Sequence, residues 1–274
     1  MSVKTYYWDK KKFFLGETYL RRFSNKITNA KFRIGNAGDI FTKEIILKYY
    51  NDRPKIIENE GGRLLFTGSI LSKSKAGDFL CGIGAKSENI NINHPLNIIS
   101  LRGPLTYELL KKKGFNMSNI KSCLDPGLLL KFFIPKKFFN TSQKNIGIIP
   151  HYRERENIRY KNLPNNFEVI DIDNHPIYIA KRILKKELIV SSSLHGLIFA
   201  HSLNKPVIFT SPLTEEPIFK YKDYFLSINK KYSKPLPFEY KKIGKIKEIM
   251  PPKINQEDIF IPNSKYLKEN NLFT

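Results

Sequence analysis

The composition of this 274-residue chain argues against a disordered or membrane-spanning protein, because 41% of its residues are hydrophobic and no apolar run reaches bilayer length. Its 47 basic and 25 acidic residues give a formal net charge of +22, which predicts an anionic partner: a phosphorylated small molecule, nucleic acid or an acidic membrane surface. The lysines are spread along the chain, so a solvated basic surface explains the charge equally well. Two cysteines without metal-binding spacing and no signal-peptide pattern favour a reduced, cytoplasmic protein.

The N-terminal part combines an aromatic, basic start with a glycine-containing loop and a helix. Residues 1 to about 30 are interpreted as a packed N-terminal extension, with an acceptor-binding arm as the alternative. Asn36, Gly38 and Asp39 then stand where a loop meets the amphipathic stretch 40–50. Asp39 is predicted to be the N-cap of this helix, because carboxylate oxygens accept hydrogen bonds from the first N–H groups.

Three short strands, each ending in small or turn-forming residues, are predicted at residues 63–71, 79–84 and 98–104. Arg102 lies at the carboxyl end of the third strand, just before a helix predicted at residues 105–113. This position suits a guanidinium that clamps a carboxylate or phosphate, and an ion pair with Glu108 is an equally good explanation. Asp125, which precedes Pro126, is interpreted as a turn former.

The second half begins after residues 131–144, whose irregular pattern is typical of a linker. A short apolar strand at residues 145–153 delivers His151 and Arg153 to its carboxyl end. A further strand and an amphipathic helix are predicted at residues 167–171 and 177–186.

The most informative stretch is an apolar strand at residues 187–190, followed by serines and a helix that begins near Leu194. Ser193 offers an N-cap, which places His195 in the first helical turn. Free N–H groups at a helix start favour anions, and an imidazole there can also move protons near neutral pH. A histidine packed in the core for structural reasons is the alternative. The strand at residues 206–210 completes a β-α-β unit.

The alternation of strands and helices predicts an α/β protein with two Rossmann-like, doubly wound domains that face a cleft. We expect an N-terminal domain over residues 1–140 and a C-terminal domain over residues 141–274. The proline-interrupted part after residue 214 is interpreted as a peripheral wrap. Ligands bind at the carboxyl ends of strands in such sheets, so the cleft is expected to receive Arg102, His151, Arg153 and His195.

Seven short motifs occur in order between residues 33 and 210. They are Asn36-Ala37-Gly38-Asp39, Thr67-Gly68-Ser69-Ile70, Gly82-Ile83-Gly84, Leu101-Arg102-Gly103-Pro104-Leu105-Thr106, Asp125-Pro126-Gly127, Ile149-Pro150-His151 and Ser193-Leu194-His195-Gly196. Taken together, they resemble the polysaccharide pyruvyl transferase family. The resemblance implies a glycosyltransferase-B-like architecture and transfer of pyruvyl from phosphoenolpyruvate to sugar hydroxyls of a bacterial-type surface polysaccharide or its lipid-linked precursor, usually as a cyclic ketal.

The resemblance, together with the groups that this transfer needs, implies roles for individual residues. His195 is expected to bind the donor and transfer protons, with His151 as the second candidate. Asp39 is a further candidate, as a general base, although its N-cap role is the favoured interpretation. Arg102 and Arg153 are expected to hold the phosphate and carboxylate of the donor. Further substrate-binding residues are expected to be Asn36, Gly38, Ser69, Gly84, Ser193 and Leu194. No metal or other cofactor is expected, because the sequence shows no dense cluster of metal-ligating side chains.

Two other functions stay open at this point. A nucleotide-sugar glycosyltransferase of the same architecture would need a ribose-binding carboxylate, which is not obvious in the second half. A nucleic-acid-binding protein would need a basic stripe with interleaved aromatics, for which only residues 6–22 offer support. The expected partners are therefore phosphoenolpyruvate and a sugar or lipid-linked oligosaccharide acceptor, with no nucleic acid. An anionic inner membrane face would suit the basic surface of such a cytoplasmic enzyme.

Overall fold

The chain folds into two parallel β-sheets with helices packed around them. The computed structural model describes residues 1–8, 34–139, 145–232 and 234–274. The first sheet contains β1 (Ser2–Thr5), β2 (Arg53–Ile56), β3 (Leu64–Leu65), β4 (Phe79–Cys81), β5 (Asn97–Leu101) and β6 (Ser122–Cys123), in the spatial order β2-β1-β3-β4-β5-β6. The second contains β7 (Ile146–Ile149), β8 (Phe167–Val169), β9 (Leu188–Ser191) and β10 (Val207–Phe209), in the order β10-β9-β7-β8. This α/β arrangement with parallel sheets agrees with the predicted Rossmann-like layout, while the glycosyltransferase-B relationship stays a prediction.

The helices of the described residues are short. They are α1 (Ala37–Tyr50), α2 (Pro104–Lys112), α3 (Pro176–Leu184), α4 (Leu194–Ser202), α5 (Phe219–Ser227) and α6 (Ser264–Glu269). Single turns or short runs of 3₁₀-helix occur at Leu71–Lys73, Pro126–Phe133, Lys136–Phe138, Ile158–Tyr160 and Tyr240–Lys245. Within these described ranges, no helix has both the length and the hydropathy that crossing a bilayer requires.

The second sheet confirms the predicted strand, turn and helix around His195. Strand β9 is buried along its whole length and pairs in parallel with β7 on one side and β10 on the other. An apolar strand buried on both faces is what a central parallel strand requires. After it, the Ser193 side chain accepts a hydrogen bond from the Gly196 N–H and starts α4. Because β10 follows α4 and pairs with β9, the predicted β-α-β unit is confirmed.

The first sheet contains two strands that the sequence analysis missed. The predicted N-terminal extension lies mostly outside the described residues, but its start forms β1, which pairs in parallel with β2 and β3. Only Val3 and Thr5 of β1 are buried, so four residues carry too little apolar pattern to be recognised. Strand β2 contains Pro54 and lies at the edge of the sheet, where a missing N–H is tolerated. The three predicted strands exist but are shorter than their apolar runs suggest.

One buried hydrophobic cluster joins the two sheets. Phe41 of α1 packs edge-on against Phe133, at 4.9 Å between ring centroids, and against Phe199 of α4, at 5.7 Å. Leu129 and Ile179 belong to the same buried cluster. The segment Pro126–Phe133, which follows the predicted turn former Asp125, is a 3₁₀-helix that packs between the two halves against α3 and α4. The predicted linker is therefore partly core, and the domain boundary at residue 140 stays a prediction.

The C-terminal part returns to the first half of the chain. Helix α5 packs against α2, and Asp223 of α5 accepts hydrogen bonds from the N–H and the hydroxyl of Thr106. Farther along the chain, the carbonyl of Leu272, just after α6, accepts a hydrogen bond from the Lys4 N–H of β1 at 2.8 Å. Residues after 214 thus contact β1 and, through α5, the interior of the molecule, while the peripheral wrap stays a prediction.

Candidate functional site

A cavity of about 240 Å³ opens where the N-termini of α1 and α4 meet the carboxyl ends of β7 and β9. The lining side chains come from both halves of the chain and from the segment that leads into α5. They are Trp8, Asn36, Asp39, Ser69, Ile70, Ser72, Lys73, Lys86, His151, Tyr152, Arg153, Ser193, Leu194, His195, Glu216 and Lys220. This is the edge of a parallel sheet at which ligands bind.

The N-terminus of α1 is fixed by contacts with the second half. Asp173 accepts hydrogen bonds from the N–H groups of Ile34 and Gly35, at 2.9 and 2.8 Å. The N-cap is Asn36, whose side chain accepts from the Gly38 N–H, so the prediction that Asp39 caps this helix is wrong. Asparagine caps as well as aspartate does, and with Asn36 in that role the carboxylate one turn on is left to line the cavity.

Two glycines allow the backbone to pack closely against the side chains of His195 and Asp39. A Cβ at Gly38 would lie 1.8 Å from Cγ of His195, so only glycine lets α1 approach the imidazole this closely. Gly68 has φ of +103°, and a Cβ there would lie 2.9 Å from Oδ1 of Asp39. The motifs around these two glycines therefore bring Asp39 and His195 to the same cavity.

His195 is a neutral imidazole at the start of α4. The residue is 6% exposed, and within the described part of the chain its Nε2 has no hydrogen-bond partner. Burial, assisted by the positive charges of Arg102 and Lys220, lowers the pKa of His195 to about 3. A buried ring nitrogen without a partner is costly unless a bound molecule supplies one, which favours a functional over a structural histidine.

Asp39 has the opposite perturbation. Burial raises the pKa of this carboxyl to about 7, the nearby Asp125 adds to the rise, and Lys220 opposes it. Asp125 itself caps the following 3₁₀-helix by accepting from the Gly127 N–H at 2.7 Å, which confirms the predicted turn former. Near neutral pH the cavity is therefore lined by a carboxyl that keeps its proton part of the time and by an imidazole in its neutral form.

Cationic side chains surround Glu216 on another wall of the cavity. Lys220 Nζ lies 2.6 Å and Lys86 Nζ 3.5 Å from Oε2 of Glu216. Arg153 Nη1 lies 3.1 Å and His151 Nε2 3.6 Å from Oε1. Burial alone would raise the pKa of Glu216, but the cations outweigh it and hold this pKa at about 2.

His151 is placed by a second buried carboxylate. Its backbone N–H donates to Oε1 of Glu154 at 3.2 Å and to the hydroxyl of Ser192 at 2.9 Å. Burial, together with Lys220, lowers the pKa of the imidazole to about 3. His151 is therefore uncharged at neutral pH, and the positive charge around Glu216 comes from lysine and arginine.

Comparisons with known proteins give the family of the chain. The model of the polysaccharide pyruvyl transferase family matches residues 20–212. The chain belongs to this family. It is also 32% identical over 201 residues to "Uncharacterized protein L143" of Acanthamoeba polyphaga mimivirus, a match that covers 69% of each chain. No solved structure matches the chain.

Membership of the polysaccharide pyruvyl transferase family makes the protein a transferase whose acceptor is a sugar or polysaccharide. Among the three functions that the sequence left open, membership of the family favours the polysaccharide pyruvyltransferase over the glycosyltransferase and the nucleic-acid-binding protein. The described residues contain no group of three or more metal-ligating side chains, and the cavity instead presents cations and N–H groups, which suit an anionic ligand.

Most of the predicted site residues of this transferase line the cavity together. They are Asn36, Asp39, Ser69, His151, Arg153, Ser193, Leu194 and His195. Gly38 and Gly84 lie behind the wall instead, where a Cβ would strike the imidazole of His195 or the guanidinium of Arg102. The sequence analysis missed Lys86, Glu216 and Lys220. Lys86 lies just after the predicted strand at residues 79–84, so its position could have indicated a site residue. Glu216 and Lys220 stand in no comparable local sequence pattern.

Arg102 does not line the cavity itself but contacts a side chain that does. Its Nη1 donates to the hydroxyl of Ser69 at 2.8 Å, and its Nη2 donates to the carbonyl of Ala85 at 2.6 Å. Its Nε donates to Asp223 at 3.1 Å, and both side chains of this pair are fully buried. The structure thus brings Arg102 to the site through Ser69, and its direct contact with the donor stays a prediction.

Proposed function

We propose that the protein transfers pyruvyl from phosphoenolpyruvate to sugar hydroxyls and forms a cyclic ketal. The observation that carries this proposal is the pairing, in one cation-lined cavity, of a carboxyl whose pKa is about 7 with an imidazole whose pKa is about 3. Two titratable groups whose pKa values are pushed apart in this way supply an acid and a base at the same pH.

The charges of the cavity suit the donor. Four of the described lining side chains are basic, namely Lys73, Lys86, Arg153 and Lys220, against two acidic ones. Phosphoenolpyruvate carries a phosphate and a carboxylate, and both are bound well by ammonium and guanidinium groups. The N-terminus of α4, at Ser193 and Leu194, adds the partial positive charge of a helix start.

The proton transfers can be divided between the two perturbed groups. Asp39 gives its proton to the methylene carbon of the donor, and a sugar hydroxyl attacks the adjacent carbon while His195 accepts the hydroxyl proton. Phosphate then leaves, and a second hydroxyl attacks the same carbon to close the ketal. Of the two hydroxyl protons, one restores Asp39 and the other leaves on phosphate, so both residues return to their starting states.

The direct test measures phosphate release from phosphoenolpyruvate in the presence of candidate sugar acceptors. We expect release by the wild type, and at least about 10²-fold slower release by His195→Ala because the proton acceptor is lost. His94→Ala is the matched control, since His94 contacts Ser74 outside the cavity and should keep full activity. Full activity of His195→Ala would remove His195 from the mechanism. Consumption of a nucleotide sugar without phosphoenolpyruvate would point to a glycosyltransferase.

The basic surface supports a second part of the proposal, in which the acceptor is lipid-linked and the protein meets it at an anionic membrane face. Lys241, Lys242, Lys245 and Lys247 are all exposed along one short segment. A basic residue near an anionic surface contributes about 1 kcal/mol. Replacing these four lysines with glutamine should therefore weaken binding to anionic vesicles strongly and leave the poor binding to neutral vesicles unchanged. Unchanged binding to anionic vesicles would contradict this part.

A further inference from the structure

Glu216 is an acidic residue where the proposed donor site would be expected to be wholly basic. Its side chain is 2% exposed, and its carboxylate lies within 3.6 Å of nitrogen atoms of four other side chains that line the cavity. Two of them, Lys86 and Arg153, are 40% and 45% exposed and so are not held in place by packing alone. The carboxylate of Glu216 is the common partner that fixes their positions relative to Lys220.

A phosphate that enters this cavity must share the same cations. A phosphate bound by these cations would lie near the Glu216 carboxylate and be repelled by it, because like charges about 4–5 Å apart near a protein surface interact strongly. Glu216 therefore lowers the affinity of the site for the donor as well as for the product. Such a group is useful when product must leave after each turnover, because release often limits the rate of an enzyme.

We propose that Glu216 is a positioning residue that acts as an internal counter-anion: it spaces Lys86, Arg153 and Lys220 for phosphate and keeps the product phosphate from binding too tightly. The inference rests on the proposed donor, because it assigns these cations to the phosphate group. It extends that proposal by giving the acidic residue a role in product release instead of in proton transfer.

A structural role for Glu216 predicts different behaviour. Lys220 Nζ and Glu216 are buried together at the start of α5, so the pair could serve only to hold this helix. Loss of a purely structural carboxylate would loosen the cation cluster, weaken phosphate binding and raise KM. Loss of a counter-anion would strengthen phosphate binding and lower KM and kcat together.

The experiment measures binding of inorganic phosphate and of phosphoenolpyruvate by calorimetry, using the wild type and Glu216→Gln. We expect Glu216→Gln to bind inorganic phosphate about 10- to 100-fold more tightly, because the amide keeps the hydrogen-bonding shape but removes the charge. Steady-state kinetics should show lower KM, lower kcat and stronger inhibition by phosphate. Glu215→Gln is the matched control, since its exposed side chain makes the same charge change one residue away and outside the cavity lining.

A second variant keeps the inference testable if Glu216→Gln does not fold. Glu216→Asp retains the charge but withdraws it by one methylene from Lys220 and Arg153, so phosphate should bind more tightly by a smaller factor. If both variants fold, weaker or unchanged phosphate binding in both would overturn the inference. If only Glu216→Asp folds, weaker or unchanged phosphate binding by that variant would overturn it. Failure of the proposed function is recognised separately, as a wild type that binds phosphate but releases none from phosphoenolpyruvate with any acceptor.

Discussion

Replacing Asp39 with asparagine should lower kcat/KM at pH 7 by about 10³-fold, because the proposed proton donor to the methylene carbon is lost. In the wild type, kcat/KM should fall about tenfold per pH unit above pH 7, as the carboxyl with a pKa of about 7 loses its proton. This descending limb should be absent from the residual activity of Asp39→Asn. A variant that keeps the wild-type limb would remove Asp39 from the reaction.

The same substitution should stabilise the protein at high pH. The folded-state pKa of about 7 lies above the ordinary value of 3.8, so the folded protein holds a proton that the unfolded chain releases. Stability from this group is therefore complete below about pH 4 and is lost as the pH rises to 7. At pH 8, Asp39→Asn should unfold with a free energy about 1–3 kcal/mol higher than wild type, and at pH 4 the two should be similar.

Thermal denaturation at both pH values checks this expectation. Asp52→Asn is the control, because Asp52 lies just beyond the other end of α1 and outside the cavity lining. It should leave the pH profile of activity unchanged, and because its ion-pair partner is the exposed N-terminal ammonium it should change stability by no more than about 1 kcal/mol at either pH. A gain in stability that accompanies a loss of activity is typical of a residue retained for function.

The second large effect is expected from Arg102→Met. Removing one member of a fully buried ion pair leaves the other charge unpaired and costs about 3–5 kcal/mol of unfolding free energy. Asp223 is that other member, and it holds α5 against α2 through Thr106. We expect activity to be lost as well, because α5 carries Lys220. Urea denaturation measures the first effect, and phosphate release from phosphoenolpyruvate measures the second.

Two companion variants separate the causes. Arg182→Met breaks a half-exposed pair with Glu168 and should cost no more than about 1 kcal/mol. Combining Arg102→Met with Asp223→Asn removes both buried charges but keeps an amide oxygen that can accept from Thr106, and it should recover part of the lost stability. If the recovered double variant binds phosphoenolpyruvate as the wild type does, Arg102 acts by positioning; if its affinity stays low, Arg102 contacts the donor as the sequence predicts.

The parts of the site that the sequence predicted are those encoded by local pattern. Strand β9, its serine turn and α4 are contiguous, so the apolar run and the Ser193 cap are enough to place His195. Strand β7 delivers His151 and Arg153 in the same way. Each of these groups follows directly from a strand whose carboxyl end meets the cavity.

The parts that the sequence missed depend on long-range packing. Glu216 and Lys220 reach the cavity only because α5 folds back onto the first half of the chain. The pKa of Asp39 depends on burial by segments that are distant in sequence. The local sequence alone therefore favoured the interpretation of Asp39 as an N-cap. Asn36 and Asp39 both suit a cap, and local preference does not decide between two good caps three residues apart.

Helix α5 has a mechanical consequence, because it is attached to residues beside both sheets. Asp223 joins it to Arg102, which follows β5 of the first sheet, while the hydroxyl of Tyr221 donates to the Ser192 carbonyl just after β9 of the second sheet and its ring stacks on Phe209. A hinge-like separation of the two sheets would have to break one of these attachments. Substrates and products are therefore expected to pass through the existing mouth of the cavity, past the partly exposed side chains of Lys86 and Arg153.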